Sequence, residues 1–281
     1  MKSTASLPKL RVGGVLLFLI LAILFFLYRE NTQLDIEEIS VSSEKIPEAF
    51  RDFRIVLLSD GHGARFGKDN EILLDAVAAA NPDLIVYAGD IIDRAWQLDS
   101  LAPLARGLAE IAPTYYVSGN HEWAVRKMDA LFSLLTRCGV TPLRNEYVPL
   151  TRGGETIFLC GIDDPNGPAD QKKTQALYAE LSTREGDGFS ILLAHRNNLF
   201  ETYAACGFDL VLSGHGHGGL IRLPFTDGLI GTDKQLFPPY TNGLYAYGKS
   251  QLVVSRGLGN VGRTFRLFNR PHIPVILLTP C

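Results

Sequence analysis

One stretch decides the fold of this chain: Asp83-Leu-Ile-Val-Tyr-Ala-Gly-Asp90-Ile-Ile-Asp93. Its apolar, partly β-branched residues predict a buried strand, and Gly89 lets the chain turn directly into Asp90. A carboxylate at the C-terminal edge of a strand either caps a helix or belongs to a site in the crevice beyond the strand ends. Taken alone, the segment favours the cap. The rest of the chain favours the site instead, because several other apolar runs also end in a polar side chain.

Predicted strands and helices alternate on both sides of this stretch. Strands are predicted at 37–41, 54–58 and 114–117, besides the one that begins at 84 and ends at Asp90, and helices at 69–80 (with Asp69 or Asn70 as its cap), 98–111 and 128–137. This β-α order predicts an α/β core with parallel strands. Shorter strands follow at 142–149, 155–161, 190–194, 210–213, 220–223 and 252–255, with a helix at 174–182 and many turns. No linker interrupts residues 31–281, which are predicted to form one domain.

Composition and charge narrow the class of protein. The chain has 281 residues, of which 46% are hydrophobic, so it can bury a full core. The net charge of −3 provides no basic surface for nucleic acid, and no nucleic-acid partner is expected. The four cysteines, Cys138, Cys160, Cys206 and Cys281, show no zinc-ligand spacing. Cys160 lies in an apolar run and is predicted to be a small buried side chain.

The N-terminal 30 residues are predicted to be an uncleaved signal anchor that crosses a membrane once. Lys2, Lys9 and Arg11 precede an uncharged apolar run at 12–28, near the lower end of the roughly 17–25 residues that a spanning helix needs. The run is apolar on every face, unlike a core helix, and it ends without the small residues of a cleavage site. Three basic residues before it and only Arg29 after it predict a cytoplasmic N-terminus. The globular part would then lie on the extracytoplasmic side of the cell membrane.

Polar side chains follow five of the apolar runs, at the point where each run ends. They are Asp60 and His62, Asp90, Asn120 and His121, His195, and His215 and His217. Five of the six histidines occupy such positions, and only His272 does not. A lone histidine at a strand end is usually structural, but this distribution predicts a metal site.

The predicted ligands are carboxylate and amide oxygens and imidazole nitrogens, without thiolates. This set suits Mn, Fe or Zn better than Ca or Mg alone. Seven ligands are too many for one ion with an open position, so two ions about 3.5–4 Å apart, bridged by one carboxylate, are predicted. Such a pair polarises a phosphoryl group and acidifies the water between the ions.

These residues resemble the motifs of the calcineurin-like metallophosphoesterases. The motifs stand in order as Asp60-Gly-His62, Gly89-Asp90-Ile-Ile-Asp93, Gly119-Asn-His-Glu122, His195 and Gly214-His-Gly-His217. The resemblance covers the chain from about residue 55 onward. It implies a four-layer α/β/β/α sandwich of two mixed sheets, here preceded by one transmembrane helix.

The resemblance also implies a role for each motif residue. Asp60, His62 and His217 would bind the first metal, Asn120, His195 and His215 the second, and Asp90 both. His121 would face the scissile phosphate and help protonate the leaving oxygen. Asp93 and Glu122 would not bind metal themselves but would position the residues that do. Asp93 would orient His121 or a ligand. A helix cap is the alternative for Asp93.

The implied function is metal-dependent hydrolysis of phosphate diester or pyrophosphate bonds, with hydroxide formed between the metals. The anchor, Gly218-Gly219 with Ile221-Arg-Leu-Pro224, and the ending Phe268-Asn-Arg-Pro271 resemble the membrane-anchored or exported bacterial branch of the family. The substrate would then be membrane- or envelope-associated, with a lipid-linked compound as one option. Two alternatives stay open: a phosphomonoesterase, and a catalytically silent metal-binding envelope protein.

Two further features permit a functional or an ordinary interpretation. The stretches 237–240 and 245–247 form an aromatic patch that is either a substrate rim or, preferably, loop packing. Arg196 is either a phosphate-binding side chain or a solvated one.

Overall fold

The computed structural model describes residues 9–223, 226–232, 234–262 and 264–281, with side chains from residue 13. Lys2 of the predicted anchor and Pro224 lie outside the described residues. The described strands are β1 (Asp35–Ser43), β2 (Phe53–Leu58), β3 (Leu84–Ala88), β4 (Thr114–Val117), β5 (Val140–Pro142), β6 (Glu146–Arg152), β7 (Glu155–Gly161), β8 (Ser190–Arg196), β9 (Leu210–Gly214), β10 (Gly243–Tyr247), β11 (Ser250–Val254) and β12 (His272–Pro280). The α-helices are α1 (Lys9–Thr32), α2 (Glu71–Ala79), α3 (Ala102–Ile111), α4 (Asn120–Val125), α5 (Met128–Arg137), α6 (Thr174–Glu185) and α7 (Phe200–Cys206).

The strands form two mixed sheets of six. The first has the order β1-β12-β2-β3-β4-β5, and the second β10-β11-β9-β8-β7-β6. Strands β2 to β5 run parallel, as do β7, β8, β9 and β11. The pairs β12–β2, β6–β7 and β10–β11 are antiparallel. Parallel strands carry their polar C-terminal residues to one edge of each sheet, which positions the site described below.

Alternation along the central strands produces three apolar layers. In β2, Ile55 and Leu57 join the core between the two sheets, whereas Val56 and Leu58 face α2, α3 and α5. In β8, Leu192 faces away from the first sheet and packs with residues of α6 and α7. Strands buried on both faces read as continuous apolar runs, which is why they were recognisable. The α/β/β/α arrangement confirms the predicted four-layer fold.

Strand β12 was missed by the sequence prediction, although it lies in the middle of the first sheet. It pairs in parallel with β1 and antiparallel with β2. Pro274 and the surrounding turns made the segment look irregular, since proline cannot donate to a ladder. The signal was nevertheless present, because residues 275–278 are an uninterrupted apolar run.

One local prediction was wrong, and two were right only in part. Residues 220–223 are not a strand, because Ile221 and Arg222 make only single bridges, to Leu267 and Gly228. The helix predicted at 98–111 begins with a 3-10 segment at Ala95–Ser100, and its α-helical part starts at Ala102. Asn70 precedes α2 but makes no side-chain cap there; its Oδ1 accepts the Phe66 N–H instead (3.1 Å).

Helix α1 is apolar and long enough to cross a membrane over Gly13–Thr32, and its last turn is docked on the rest of the chain. Glu30 is buried there; one of its oxygens accepts Arg270 Nε (2.8 Å) and the other the backbone N–H of Asn269 (3.1 Å). Asn31 Oδ1 accepts the backbone N–H of Arg266 (2.8 Å). These contacts cross the boundary at residue 30 that was predicted to separate anchor from domain, and that division stays a prediction.

Replacing Glu30 by alanine is expected to destabilise the full-length protein by about 1–3 kcal/mol, because a buried N–H loses its acceptor. The partly exposed Arg270 adds little to this value, since water screens it. Urea unfolding of the full chain in detergent, followed by circular dichroism, measures the change. Glu44→Ala, at an exposed glutamate, is the matched control. Equal midpoints for the two variants would show that the Glu30 contacts contribute nothing.

Candidate metal centre

The polar residues predicted at strand ends come together where the two sheets meet. Asp60 and His62 follow β2, Asp90 follows β3, and Asn120 begins α4 directly after β4. His195 lies near the end of β8, and His215 and His217 follow β9. The site therefore lies at the carboxyl ends of parallel strands from both sheets, and not at the edge of one sheet alone. His272 belongs to none of the groups of donors found among the described residues, and its Nε2 lies 3.0 Å from Glu37 Oε2.

The first group of potential ligands consists of Asp60, His62 and His217. One donor atom of each lies within 4.8 Å of the others. His217 Nε2 is 3.3 Å from Asp60 Oδ1 and 2.9 Å from His62 Nε2. All three residues are buried. Oxygen and nitrogen donors therefore converge on one small volume.

The second group consists of Asp90, His195 and His215, again within 4.8 Å of one another. His195 Nε2 is 3.2 Å from Asp90 Oδ2 and 3.2 Å from His215 Nδ1. Asn120 extends this group, because its Oδ1 is 3.2 Å from the same His195 nitrogen. The structure thus places all seven predicted ligands in two adjoining groups; their binding of metal stays a prediction.

Asp90 lies between the two groups. Its Oδ2 is 3.2 Å from His195 Nε2 in one group and 3.9 Å from His62 Nε2 in the other. Its Oδ1 accepts the backbone N–H of His121 (2.9 Å), which holds the carboxylate in this orientation. A bridging ligand needs this position, and a helix cap does not.

In His195 and His62, the hydrogen bonds made by Nδ1 indicate that Nε2, on the other side of the ring, is free to bind a cation. His195 Nδ1 lies 2.7 Å from the Ala88 carbonyl oxygen, to which it donates, leaving a lone pair on Nε2. His62 Nδ1 likewise donates to Asp93 Oδ1 at 2.5 Å. Metal-binding histidines are commonly oriented by such contacts. The donor set, oxygen and imidazole without sulfur, therefore fits divalent transition metals.

Burial and charge shift the pKa values of this cluster strongly. Burial raises the pKa of Asp60 and lowers those of His217 and, to about 3, His215. Burial alone would lower the pKa of His195, but the Asp90 carboxylate raises it to about 10. The Asp90 carboxylate thus stabilises positive charge at this position. A bound cation would supply that charge instead, with imidazole as a neutral ligand.

His121 lines the cleft with a partly exposed ring, where it can meet a substrate. Its side chain is 30% exposed, and its Nδ1 lies 2.7 Å from Asp93 Oδ1. This hydrogen bond raises the pKa of His121. A histidine held in this way can remain protonated at neutral pH and donate to a leaving oxygen.

Asp93 contacts both His62 and His121 with the same oxygen, so it orients a predicted ligand and the predicted acid together. Burial would raise its pKa, but the two imidazoles lower it to about 2. His62, Asp93 and His121 also lie close enough to hold an ion. Because Asp93 Oδ1 already accepts both Nδ1–H groups, a positioning role fits better. Its side chain does not cap the following 3-10 segment, whose cap residue is Arg94.

Glu122 supports Asp90 through the backbone. Its buried carboxylate accepts the N–H groups of Gly119 (2.8 Å), Asp90 (3.0 Å) and Ile91 (2.5 Å). Burial and the Asp90 charge raise its pKa to about 7. The contact to Gly119, three residues earlier, also fixes the start of α4, a short helix that the sequence prediction missed. Glutamate at this spacing is a known helix-start signal and could have revealed it.

Five of the seven predicted ligands have left-handed backbone conformations. Positive φ values occur at Asp60 (50°), His62 (49°), Asp90 (54°), His215 (67°) and His217 (47°). Such conformations are uncommon for residues with a side chain and cluster at functional sites. Gly119 is required beside them, because a Cβ atom there would lie 2.2 Å from Asp90 Oδ1.

A cleft of about 450 Å³ opens onto the cluster. It is lined by Asp90, Asn120, His121, Arg196, His215, His217, Leu220, Ile230, Gly231, Thr232, Lys234, Val261 and Thr264. Arg196 binds Asp164 through Nε (2.7 Å) and Nη2 (3.1 Å), so it is not a freely solvated side chain. The lining residues after 219 were not identified from the sequence, because loop residues carry no periodic signal.

Two buried amides that position the site were also missed. Gln97 Nε2 donates to the carbonyl oxygen of His62 (3.0 Å), and its Oε1 accepts the Asp93 N–H (2.7 Å). Asn269 Nδ2 donates to the carbonyl oxygen of His217 (2.8 Å). A single sequence gives no signal that distinguishes such amides from ordinary polar residues.

The aromatic patch divides into two parts. Tyr240 packs against Phe200 and Tyr245, with ring centroids 5.4 and 5.2 Å away, as loop packing requires. Phe237, in contrast, is 71% exposed. Cys160 is buried, as predicted, and burial raises its pKa to about 12.

Comparison with known proteins identifies the class to which this fold and site belong. Residues 53–219 match the calcineurin-like phosphoesterase family. The chain belongs to this family and is a phosphoesterase, which implies a phosphoester substrate and divalent metal ions.

Among the relatives is the uncharacterized metallophosphoesterase YkuE of Bacillus subtilis (strain 168), 33% identical over 262 residues. The match covers 89% of this chain and 87% of that one. A Danio rerio "transmembrane protein with metallophosphoesterase domain" is 31% identical; the match covers 86% of this chain and 56% of that protein. The solved NAD nucleotidase of Haemophilus influenzae has a TM-score of 0.51 at 17% identity, covering 74% of this chain and 45% of that one. It shares the fold.

Proposed function

We propose that this phosphoesterase hydrolyses phosphate diester or pyrophosphate bonds of a membrane- or envelope-associated substrate at a pair of divalent metals. The observation that carries the proposal is the position of Asp90 between two groups of donors, with His121 beside it at the cleft. When bound, the metals (Mn, Zn or Fe) supply Lewis acidity and an activated water. In the cleft the substrate phosphorus would lie between the donor groups and His121.

The residues of the chain divide the remaining work. His121, whose pKa is raised by its hydrogen bond to Asp93, would donate a proton to the leaving oxygen as the ester bond breaks. Asp93 orients the imidazole of His121, and Gln97 fixes Asp93 and the turn that carries His62. Glu122 fixes the turn of Asp90. Because these groups are positioned before the substrate arrives, the reaction needs little rearrangement of the protein.

The cleft favours diesters over monoesters. Among its described lining residues the cations outside the histidines are Lys234 and Arg196, and Arg196 is already paired with Asp164. The side chains of the protein therefore offer few cations, beyond the proposed metals and His121, for the second negative charge of a monoester. Leu220, Ile230 and Val261 instead provide an apolar wall against which a second ester substituent can pack.

We place the protein in the cell membrane, with α1 as its single span and the catalytic part on the extracytoplasmic side. The apolar helix Gly13–Thr32 and the relatives named as transmembrane proteins support the span. The basic residues Lys2, Lys9 and Arg11 before the helix, against Arg29 within its last turn, support the orientation.

A substrate panel tests the proposed function. The full-length protein in detergent, stripped of metal with a chelator, is expected to be inactive and to recover with Mn, Zn or Fe. It should then release p-nitrophenol from bis-p-nitrophenyl phosphate faster than from p-nitrophenyl phosphate. A preference for the monoester would favour a phosphomonoesterase. Metal binding without turnover of either ester would favour the silent metal-binding alternative.

A further inference from the structure

Two loops that line the cleft carry a band of exposed apolar side chains. One comprises the described residues 220–223, 226–232 and 234–241, the other comprises 258–262 and 264–270, and both contribute cleft-lining residues. Their exposed apolar residues, here called the rim, are Leu223 (46% exposed), Leu236 (65%), Phe237 (71%), Phe265 (55%) and Phe268 (43%). Soluble proteins rarely expose such side chains together, so the rim indicates a surface that is covered by a partner.

The rim is continuous with helix α1. The ring of Phe268 lies 5.3 Å from the ring of Phe26, and Phe26 is part of the apolar segment of the helix. Phe265 immediately precedes Arg266, whose backbone binds Asn31. A single β-bridge between Ile221 and Leu267 joins the two loops. The same apolar surface therefore runs from the helix to the mouth of the cleft.

The position of Phe268 along α1 identifies the partner as lipid. Tyr28 and Arg29 end the uncharged part of the helix and have the residue types found at a membrane–water interface. Phe26 precedes Arg29 by three residues, about 4–5 Å at 1.5 Å per residue, on the membrane side. A bilayer that contains the apolar part of α1 therefore reaches Phe268. The rim around it meets the same bilayer.

The helix cannot swing away from this position without breaking buried contacts. Glu30 holds the backbone N–H of Asn269, and Asn269 Nδ2 holds the carbonyl oxygen of His217. The end of the helix is thus connected through one residue to a predicted metal ligand. A flexible tether would let the cleft face any direction, whereas this connection fixes it relative to the membrane.

We propose that the rim dips into the membrane that holds α1, so that the cleft takes phosphoesters from the head groups of lipids at that surface. The proposal rests on the proposed function and adds the substrate class and its route of entry. Lys234, on the first loop, lines the cleft and would supply a cation for the phosphate. The apolar cleft wall continues into the rim and would contact the acyl part of the lipid.

Fluorescence quenching tests the membrane contact without any need for activity. Full-length Phe265→Trp protein is reconstituted into phosphatidylcholine vesicles whose acyl chains are brominated near the head group. Most of the emission added over wild type should be quenched. Ile72→Trp, at an exposed apolar residue of α2, is the matched control and should keep its added emission. If both variants lose, or both keep, the same share of their added emission, the proposal is overturned. It is also overturned if the Phe265→Trp emission is not quenched by lipid because a second copy of the chain covers the rim.

Two substrates with the same leaving group test the entry route. One is bis-p-nitrophenyl phosphate in solution, and the other is a diacylglycerol p-nitrophenyl phosphodiester in vesicles. The Phe237→Ser/Phe265→Ser variant should lose about tenfold or more on the lipid, as expected from removing buried aromatic area, and keep its rate in solution. Unchanged rates on both substrates, or equal losses on both, overturn the membrane proposal. If wild type cleaves neither substrate, the proposed function itself fails.

Discussion

Asp90→Asn should lower the affinity for both metal ions more than about 100-fold, since even supporting residues of metal ligands typically contribute about 10–100-fold. The carboxylate lies between the two donor groups, and an amide would present a neutral oxygen and an N–H donor to them. Metal analysis of the full-length variant after dialysis, together with titration calorimetry, measures the loss. Hydrolysis of bis-p-nitrophenyl phosphate should disappear in parallel.

The comparison with His62→Ala makes this prediction specific. His62 belongs to one donor group, so its removal should weaken mainly one ion. Asp99→Asn, at an exposed aspartate, controls for the loss of one charge. If Asp90→Asn and His62→Ala lose the same ions to the same extent, Asp90 does not bridge.

His121→Ala should retain metal and lose about 10²–10⁴-fold in the rate of diester hydrolysis, the usual contribution of a positioned general acid. Its imidazole contacts Asp93 and the cleft, and the predicted ligand nitrogens belong to other residues. Steady-state rates and metal content measured on the same preparation test the two parts of the statement.

The leaving group separates proton donation from a merely structural role. Across a series of diesters, the defect of His121→Ala should grow as the leaving alcohol becomes more basic, because a basic oxygen needs the proton more. A defect of constant size across the series, or a loss of metal from the variant, would assign His121 to positioning. His121→Gln, which keeps hydrogen bonding without proton transfer, should follow the alanine variant.

The parts of the fold and site that could be predicted share one property: their signal is local in the sequence. Residues 84–88 form a continuous apolar run because β3 is buried on both faces. Asp90 and His215 follow their strands at once, since parallel strands bring polar ends to one edge. The five motifs occur in order along the chain and together predict the metal site. A single aspartate at a strand end would not have predicted it.

The remaining features depend on contacts between distant residues. Strand β12 lies between β1 and β2 because of pairing across more than two hundred residues, which no local pattern encodes. Gln97 and Asn269 act through backbone carbonyl groups of His62 and His217, and their own neighbours in sequence give no hint of it. The docking of Glu30 likewise depends on Arg270, so a boundary drawn by composition alone missed it.

The position of β12 sets the order in which this protein can acquire its activity. Strand β12 lies between β1 and β2, with Asp35 opposite His272. Strand β1 therefore cannot join the first sheet until residues 272–280 have emerged from the ribosome. Closing so long a loop is slow compared with forming the central βαβ units. The turn of His217 is completed only by Asn269, from the same late segment. The centre can therefore be completed only after residues 269–280 are available to pair.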